Sequence, residues 1–262
     1  MFRKNKIGLV LGGGGARGFF HMGVIKGLQE IGVEVGEISG TSIGAIVGVM
    51  YAANPKIDFE KTANELSFLK LAKSMLSGVK KDTSEKIEKF LKTHIKANHF
   101  DDLKITTRFN ATDVNNRKEI VFEDGNIFPG IIASISIPGV FSPVKYKEDF
   151  LVDGGIVNNI PITLIKKSKI IIVSDITGPI KNINNKTPAT DVLYSSFAFL
   201  QQNNSLEKAK HLKHKKIIYL HLDDDKTFIL DFRKKNYQSL IDLGYKSIME
   251  NRKVLEKRFY FT

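Results

Sequence analysis

Three short runs in this 262-residue chain carry the residue types and spacing that acyl-transfer chemistry uses. Gly40-Thr41-Ser42-Ile43-Gly44 places a serine midway between two glycines. On a sharp strand-to-helix turn such glycines relieve crowding, and the hydroxyl stands clear as a nucleophile. With serine at about 6% of the chain and glycine at about 8%, chance yields only ~0.1 such pentapeptides. A Gly/Ser turn that merely admits close helix packing is the rival reading of that run. Gly12-Gly13-Gly14-Gly15-Ala16-Arg17-Gly18 offers bare backbone N–H groups at the entrance to a helix, a setting that attracts negative charge. Asp153-Gly154-Gly155 follows the apolar Phe150-Leu151-Val152, although Asp-Gly is also among the commonest turn pairs. Taken together they supply a nucleophile, a base and donors for an oxyanion.

The same residues admit another chemistry. Gly13, Gly15 and Gly18 satisfy the dinucleotide fingerprint Gly-x-Gly-x-x-Gly, and Glu34 or Glu37 stands where a ribose-binding acid would be. A Walker loop is excluded, because Phe19-Phe20 follows Gly18 in place of Lys-Ser/Thr. The chain has no cysteine, which removes thiolate nucleophiles, thiolate zinc sites and disulfides. Its histidines fit a triad poorly. His94, His99, His211 and His214 lie in charged stretches, and His221 sits in an apolar strand pattern. His21 falls in the first helix, where a structural hydrogen bond suits it better than catalysis.

The elements that must position these runs alternate. Lys6 to Leu11 reads as an apolar strand and Phe19 to Ile31 as a helix, with Phe20, Val24, Leu28 and Ile31 on one face. Val33 to Ser39 returns as a strand, and Ile43 to Ala53 is a helix stopped before Pro55. Two strands each running into a helix give the α/β pattern with a largely parallel sheet. A helical insertion at about 57–100 interrupts it; its second helix starts at Asp82 and carries Ile87, Phe90, Leu91 and Ile95 on its apolar face. Ile105 to Val114 and Lys118 to Phe122 form a hairpin about Asn115-Asn116. Ile170 to Ser174 and Ile217 to Leu222 complete the strands, with helices near Asp191 to Lys213 and Asp231 to Phe259. No linker or repeat divides the chain, so residues 1–262 read as one domain.

Lysine plus arginine exceed aspartate plus glutamate, 40 against 28, for a net charge of +12. That charge suits an anionic lipid surface or an acidic substrate, or it reflects a lysine-rich composition spread as solvating charge. No compact basic block marks a nucleic-acid-binding tail, and none is expected to bind. The basic start of the chain dies in the glycine run, so it does not read as a signal peptide. Ile43 to Ala53, the best spanning candidate, is far short of the ~18 apolar residues a membrane helix needs. Phe68 to Met75 interleaves Lys70 and Lys73 with apolar residues and reads as a short amphipathic helix, either lying at a membrane interface or burying those residues against the domain as a peripheral helix. The expectation is a cytoplasmic protein, at most peripheral to a membrane.

The combination resembles the patatin-like phospholipase family. Gly13-Gly14-Gly15-Ala16-Arg17-Gly18, the pentapeptide from Gly40 to Gly44, and Asp153-Gly154-Gly155 carry the likeness. Ala111-Thr112-Asp113 and Ser136-Ile137-Pro138-Gly139-Val140-Phe141 support it, and it is dense from Lys6 to about Pro161. The resemblance implies a three-layer α/β/α fold and a Ser–Asp dyad hydrolase of lipid acyl esters without metal or organic cofactor. Ser42 would be the nucleophile, Asp153 the proton acceptor, and the backbone of Gly13 to Gly15 the oxyanion site. Arg17 would brace the loop. The bulky Phe19-Phe20 and the lysine-rich insertion depart from the family's pattern and bear on substrate preference. A carboxylesterase or thioesterase for smaller acyl groups, or a nucleotide-binding regulatory module, are the competing functions.

Overall fold

The computed structural model of the chain describes residues 6–65, 82–178, 183–212, 214–224 and 237–260. The Phe68 to Met75 stretch lies outside them.

Strand β1 (Ile7–Leu11) is buried along its whole length, because both faces of the sheet are covered there. Its side chains alternate between two cores. Ile7, Leu9 and Leu11 join the larger one, under helices α1 (Phe19–Glu30) and α2 (Ile43–Ala53). Val10 joins a thinner one, built from Ile160, Ile162 and Ile165 with Ile171 and Val173. The result is three layers, helix–sheet–helix, with most of the apolar mass on one side.

Strand β2 (Val35–Thr41) pairs parallel with β1 on one edge, and β7 (Ile170–Asp175) pairs parallel with it on the other. The sheet therefore departs in two directions from the end of β1, the crevice where open α/β sheets place their ligands. Outward from β2 lies β3 (Thr106–Asp113), and outward from β7 lies β8 (Lys216–His221), both parallel. The strand predicted from Val33 to Ser39 is displaced two residues toward its end and delivers Thr41 directly into the Ser42 turn.

The sheet is more mixed than the alternation implied. Strands β4 (Lys118–Phe122), β5 (Val144–Tyr146) and β6 (Asp149–Asp153) add to it antiparallel. Phe109 and Asn110 of β3 pair with β4 on one edge and with β2 on the other. Ala111, Thr112 and Asp113 pair with β4 and with β6. Hence β4 holds one edge of β3, and β2 and β6 share the opposite edge, end to end. The β3–β4 turn spans four residues, 114–117, with Arg117 at φ 55°. Asp113 closes it by accepting from the Asn116 backbone N–H at 3.1 Å and side-chain amide at 2.7 Å.

Between α2 and β3 lie α3 (Phe59–Glu65) and α4 (Asp82–His94). Ile87, Leu91 and Ile95 bury as their spacing predicts. Helix α5 (Ile127–Ser134), which no periodicity announced, packs beneath β3, and the one-turn α6 (Gly155–Asn158) follows β6. Helix α7 (Ala189–Lys210) covers the thin core, and α8 (Tyr237–Tyr260) lies along α1, where Tyr237 stacks on Phe19 at 3.9 Å between ring centroids. No described helix is long and apolar enough to cross a membrane.

Candidate active site

The chain turns from β2 into α2 at one residue. Ser42 takes φ 55° and ψ −124°, a conformation that L side chains rarely adopt and that costs about 1–3 kcal/mol. The flanking glycines are needed for closeness. A Cβ on Gly40 would sit 2.6 Å from the Gly44 carbonyl, and one on Gly44 only 2.1 Å from Leu11 O. With neither present, the N-terminus of α2 lies directly against the end of β1, where its dipole favours negative charge. The Ser42 N–H donates to Ser134 Oγ at 2.9 Å, which holds the turn from below.

Asp153 ends β6 beside that turn. Its backbone is fixed on both sides: its N–H donates to Ser136 O at 2.8 Å, and its carbonyl accepts from Thr112 Oγ1 at 2.8 Å. Those two contacts give roles to the Ser136 and Thr112 stretches. Oδ1 accepts from the Gly155 N–H at 2.7 Å, while Oδ2 is buried with no hydrogen bond of good geometry. Burial raises the Asp153 pKa to about 6, against the opposing pull of the Ser42 hydroxyl and the Gly155 N–H. The Ser42 hydroxyl is thus close enough to pull on the carboxylate without making a hydrogen bond of good geometry to Oδ2.

The glycine loop leaves the end of β1, and Gly15–Gly18 forms one 3-10 turn leading into α1. The Gly13 N–H is committed to Asn159 O at 3.1 Å, so it is not free to meet an oxyanion. Gly14 and Gly15 N–H have no protein acceptor among the described residues. A Cβ on Gly13 would lie 2.5 Å from Asn159 Oδ1 and 3.4 Å from Ser42 Cβ, so the loop backbone runs in contact with the serine. Buried Arg17 donates through Nη1 to Thr177 O at 2.7 Å and packs on Gly178, tying the loop to the segment after β7.

Gly13, Gly14, Gly15, Ser42, Asp153, Asn159 and Thr177 line one cleft of about 60 Å³, rimmed by Ile137, Pro138, Phe197 and Gln201. A larger hollow of about 770 Å³ lies elsewhere, between α1, α3 and the start of β2, and contains none of these groups.

No histidine enters the cleft. His21 is buried, with Nε2 2.8 Å from Gly12 O and Nδ1 2.7 Å from Ser174 Oγ. A carbonyl only accepts, so Nε2 carries the proton. Burial lowers its pKa to about 4. His221 is half-exposed and pairs with Asp175 at 3.0 Å, which raises its pKa. Glu37, offered as a ribose-binding acid, lies near the opposite end of β2, where it binds Arg108 and the backbone N–H groups of Lys166, Lys167 and Ser168. Glu34 is exposed beside Lys6. The nucleotide reading thereby loses its second element.

Asn159 escaped the sequence reading. Its Nδ2 donates to Gly13 O at 3.2 Å and to Thr177 Oγ1 at 3.1 Å, while its carbonyl accepts from Gly13. The available signal was a pair of amides, Asn158 and Asn159, between Val157 and Ile160. Polar side chains buried in such company must be bonded to something. Ser134 and Thr177 carried no comparable signal.

The Patatin-like phospholipase family model matches residues 9–165, a span that contains all three motifs. Over 163 residues the chain is 35% identical to an uncharacterized NTE family protein of Mycobacterium tuberculosis, covering 61% of this chain and 45% of that one. It is 29% identical over 218 residues to Lysophospholipase NTE1 of Meyerozyma guilliermondii, covering 77% of this chain and 14% of that one. The chain thus spans less than half the length of these curated relatives. Among solved structures, VipD from Legionella pneumophila matches at TM-score 0.53 and 15% identity, over 95% of this chain and 66% of that one. ExoU of Pseudomonas aeruginosa, in its complex with SpcU, matches at TM-score 0.54 and 14% identity, over 98% of this chain and 52% of that one. At these identities the likeness shows the fold, and the family model adds what the fold alone cannot: this chain belongs to the patatin-like phospholipase family.

Proposed function

We propose that this chain hydrolyses lipid acyl esters with a Ser42–Asp153 dyad, acting as one catalytic domain without metal or organic cofactor. The observation that carries the reading is a strained, turn-borne serine facing a buried carboxylate whose pKa burial raises to about 6. A free aspartate, at a pKa of ~3.9, is a weak base for a hydroxyl. Moved to about 6, Asp153 remains mostly ionised at pH 7 and accepts a proton more readily.

In this mechanism Ser42 Oγ attacks the ester carbonyl as its proton passes to Asp153 Oδ2. The carbonyl oxygen takes the negative charge and is met by the N–H groups of Gly14 and Gly15, each worth about 3 kcal/mol if well placed. Ile43 N–H and the α2 dipole add to that field. Collapse expels the alcohol, which takes the proton back from Asp153, and leaves an acyl-serine. Water then attacks while Asp153 accepts its proton. The second tetrahedral intermediate releases the fatty acid and restores Ser42.

Lysophospholipids and related glycerolipids are the substrate class this reading favours, because yeast relatives bear the name lysophospholipase. The small cleft gives a specific reason to keep a second reading, an esterase for shorter acyl groups. Labelling with a fluorophosphonate, mapped by mass, tests the shared chemistry. The adduct should fall on Ser42, and an adduct on another serine would remove the dyad.

A further inference from the structure

Helix α7 is built against the usual rule for amphipathic helices, which turn their apolar side inward. Its attachment to the body is largely polar. Gln201 Nε2 donates to Gly155 O at 2.9 Å, Gln202 Nε2 to Gly178 O at 3.0 Å, Asn204 Nδ2 to Val157 O at 2.7 Å, and Lys208 Nζ to Val157 O at 2.8 Å. Its large apolar side chains point away. Leu193 is 72% exposed, Leu200 62% and Phe199 50%. Leu193 and Leu200 are two turns apart and share a face. Contiguous apolar exposure of this kind marks a surface that something covers.

The position of the patch says what covers it. Phe197, one turn from both Leu193 and Leu200, lines the Ser42 cleft, and Ile137 and Pro138 complete an apolar rim across from it. A protein seated on this patch would close the mouth, whereas a lipid layer would supply it. The cleft of about 60 Å³ opens at this apolar rim, which is where the acyl chain of a bound lipid would leave it. The charge agrees in sign: the protein carries +12, and Lys186 is exposed just ahead of α7.

We propose that the exposed apolar face of α7, around Leu193 and Leu200, is the surface by which this protein docks on an anionic phospholipid bilayer, bringing the Ser42 cleft to the lipid. The choice of lipid as occupant rests on the acyl-hydrolase reading, but the docking can be measured without turnover. Binding is followed by co-sedimentation with phosphatidylcholine vesicles containing phosphatidylglycerol, using full-length Ser42→Ala protein with and without the Leu193→Gln and Leu200→Gln substitutions. Both leucines are exposed and outside the cleft, so circular dichroism should not change. Loss of two large apolar groups from the lipid should weaken association at least ~10-fold, and raised salt should weaken it further. With Ser42 intact, the leucine substitutions should lower hydrolysis of vesicle phospholipid and leave turnover of a short water-soluble p-nitrophenyl ester unchanged. Vesicle binding that ignores the substitutions overturns the proposal. So does an equal loss on the soluble ester, or a native dimer that the substitutions dissolve while vesicle binding persists. Leucine-dependent binding by a protein that hydrolyses no ester would sustain the docking surface and remove the acyl-hydrolase reading alone.

Discussion

Asp153 occupies the place in the sheet that Ser42 would have filled. Thr41 pairs with Asn110 on β3, and the next β3 residue, Ala111, pairs with Asp153. Where β2 turns away at Ser42, β6 arrives from the opposite direction and takes over the ladder. The two side chains are therefore set side by side by backbone hydrogen bonds, not by a flexible loop.

The strain at Ser42 makes one pair of substitutions informative. Ser42→Ala and Ser42→Gly should both lose fluorophosphonate labelling and essentially all ester hydrolysis. Glycine alone tolerates φ 55° without penalty, so Ser42→Gly should be more stable than Ser42→Ala by about 1 kcal/mol. Urea denaturation reads the difference, and near-normal hydrolysis by either variant would remove the nucleophile from Ser42.

Raising the Asp153 pKa to about 6 has two consequences of known sign. Only the ionised form can act as base, so kcat/KM should rise with pH through a limb near 6 and level off above it. Asp153→Asn should cut turnover by at least ~100-fold. For stability, the folded protein holds this proton more tightly than the unfolded chain does. The cost of burying the charge is absent below the unfolded pKa of about 3.8, grows as pH rises, and is fully present above about 6. Asp153→Asn carries no such cost and should be the more stable protein at pH 8, by an amount on the order of 3 kcal/mol. Paired urea titrations at pH 4 and pH 8 measure it; a gap that does not widen with pH would mean the carboxylate is not desolvated.

Asn159 holds the glycine loop at Gly13, donating to its carbonyl through Nδ2 and accepting from its N–H at the backbone carbonyl. Asn159→Ala should lower kcat about 10-fold and leave KM nearly unchanged, because the loop donors matter most in the transition state. A rise in KM at constant kcat would instead assign Asn159 to ground-state binding.

His21 separates structure from catalysis. His21→Phe leaves the Gly12 carbonyl and the Ser174 hydroxyl unpaired, a loss of about 2 kcal/mol, yet its folded fraction should lose far less activity than Asp153→Asn. The native His21 stays neutral, with a pKa of about 4 against 6.5 when unfolded. Its contribution to stability is complete above pH 6.5 and is lost as pH falls toward 4, because only the unfolded chain takes up the proton. His21→Phe should abolish that part of the acid dependence. A folded His21→Phe as inactive as Asp153→Asn would replace the dyad with a triad.

The order of strands and helices from β1 to α2 was legible because apolar periodicity and glycine punctuation are local properties. The three motifs that line the Ser42 cleft were legible for the same reason, each requiring particular residues within a few positions of one another. The face of α4 carrying Ile87, Leu91 and Ile95 followed from spacing alone. Helix α5 escaped because it is short and apolar all round, which hides any period. The antiparallel β5–β6 pair escaped because strand direction depends on which edge is available, and that edge of β3 opens only where β2 turns away. Residue types alone therefore determined a serine on a tight turn, a carboxylate before a turn and a loop of free N–H groups. Tertiary structure decided that Gly14 and Gly15, not Gly13, keep their donors, and that burial moves Asp153 to about 6. It also turned the apolar side of α7 outward. The reason is common to all three: a hydrogen-bond acceptor, a dielectric and a covering layer come from residues distant in sequence, and only packing brings them within a few ångströms.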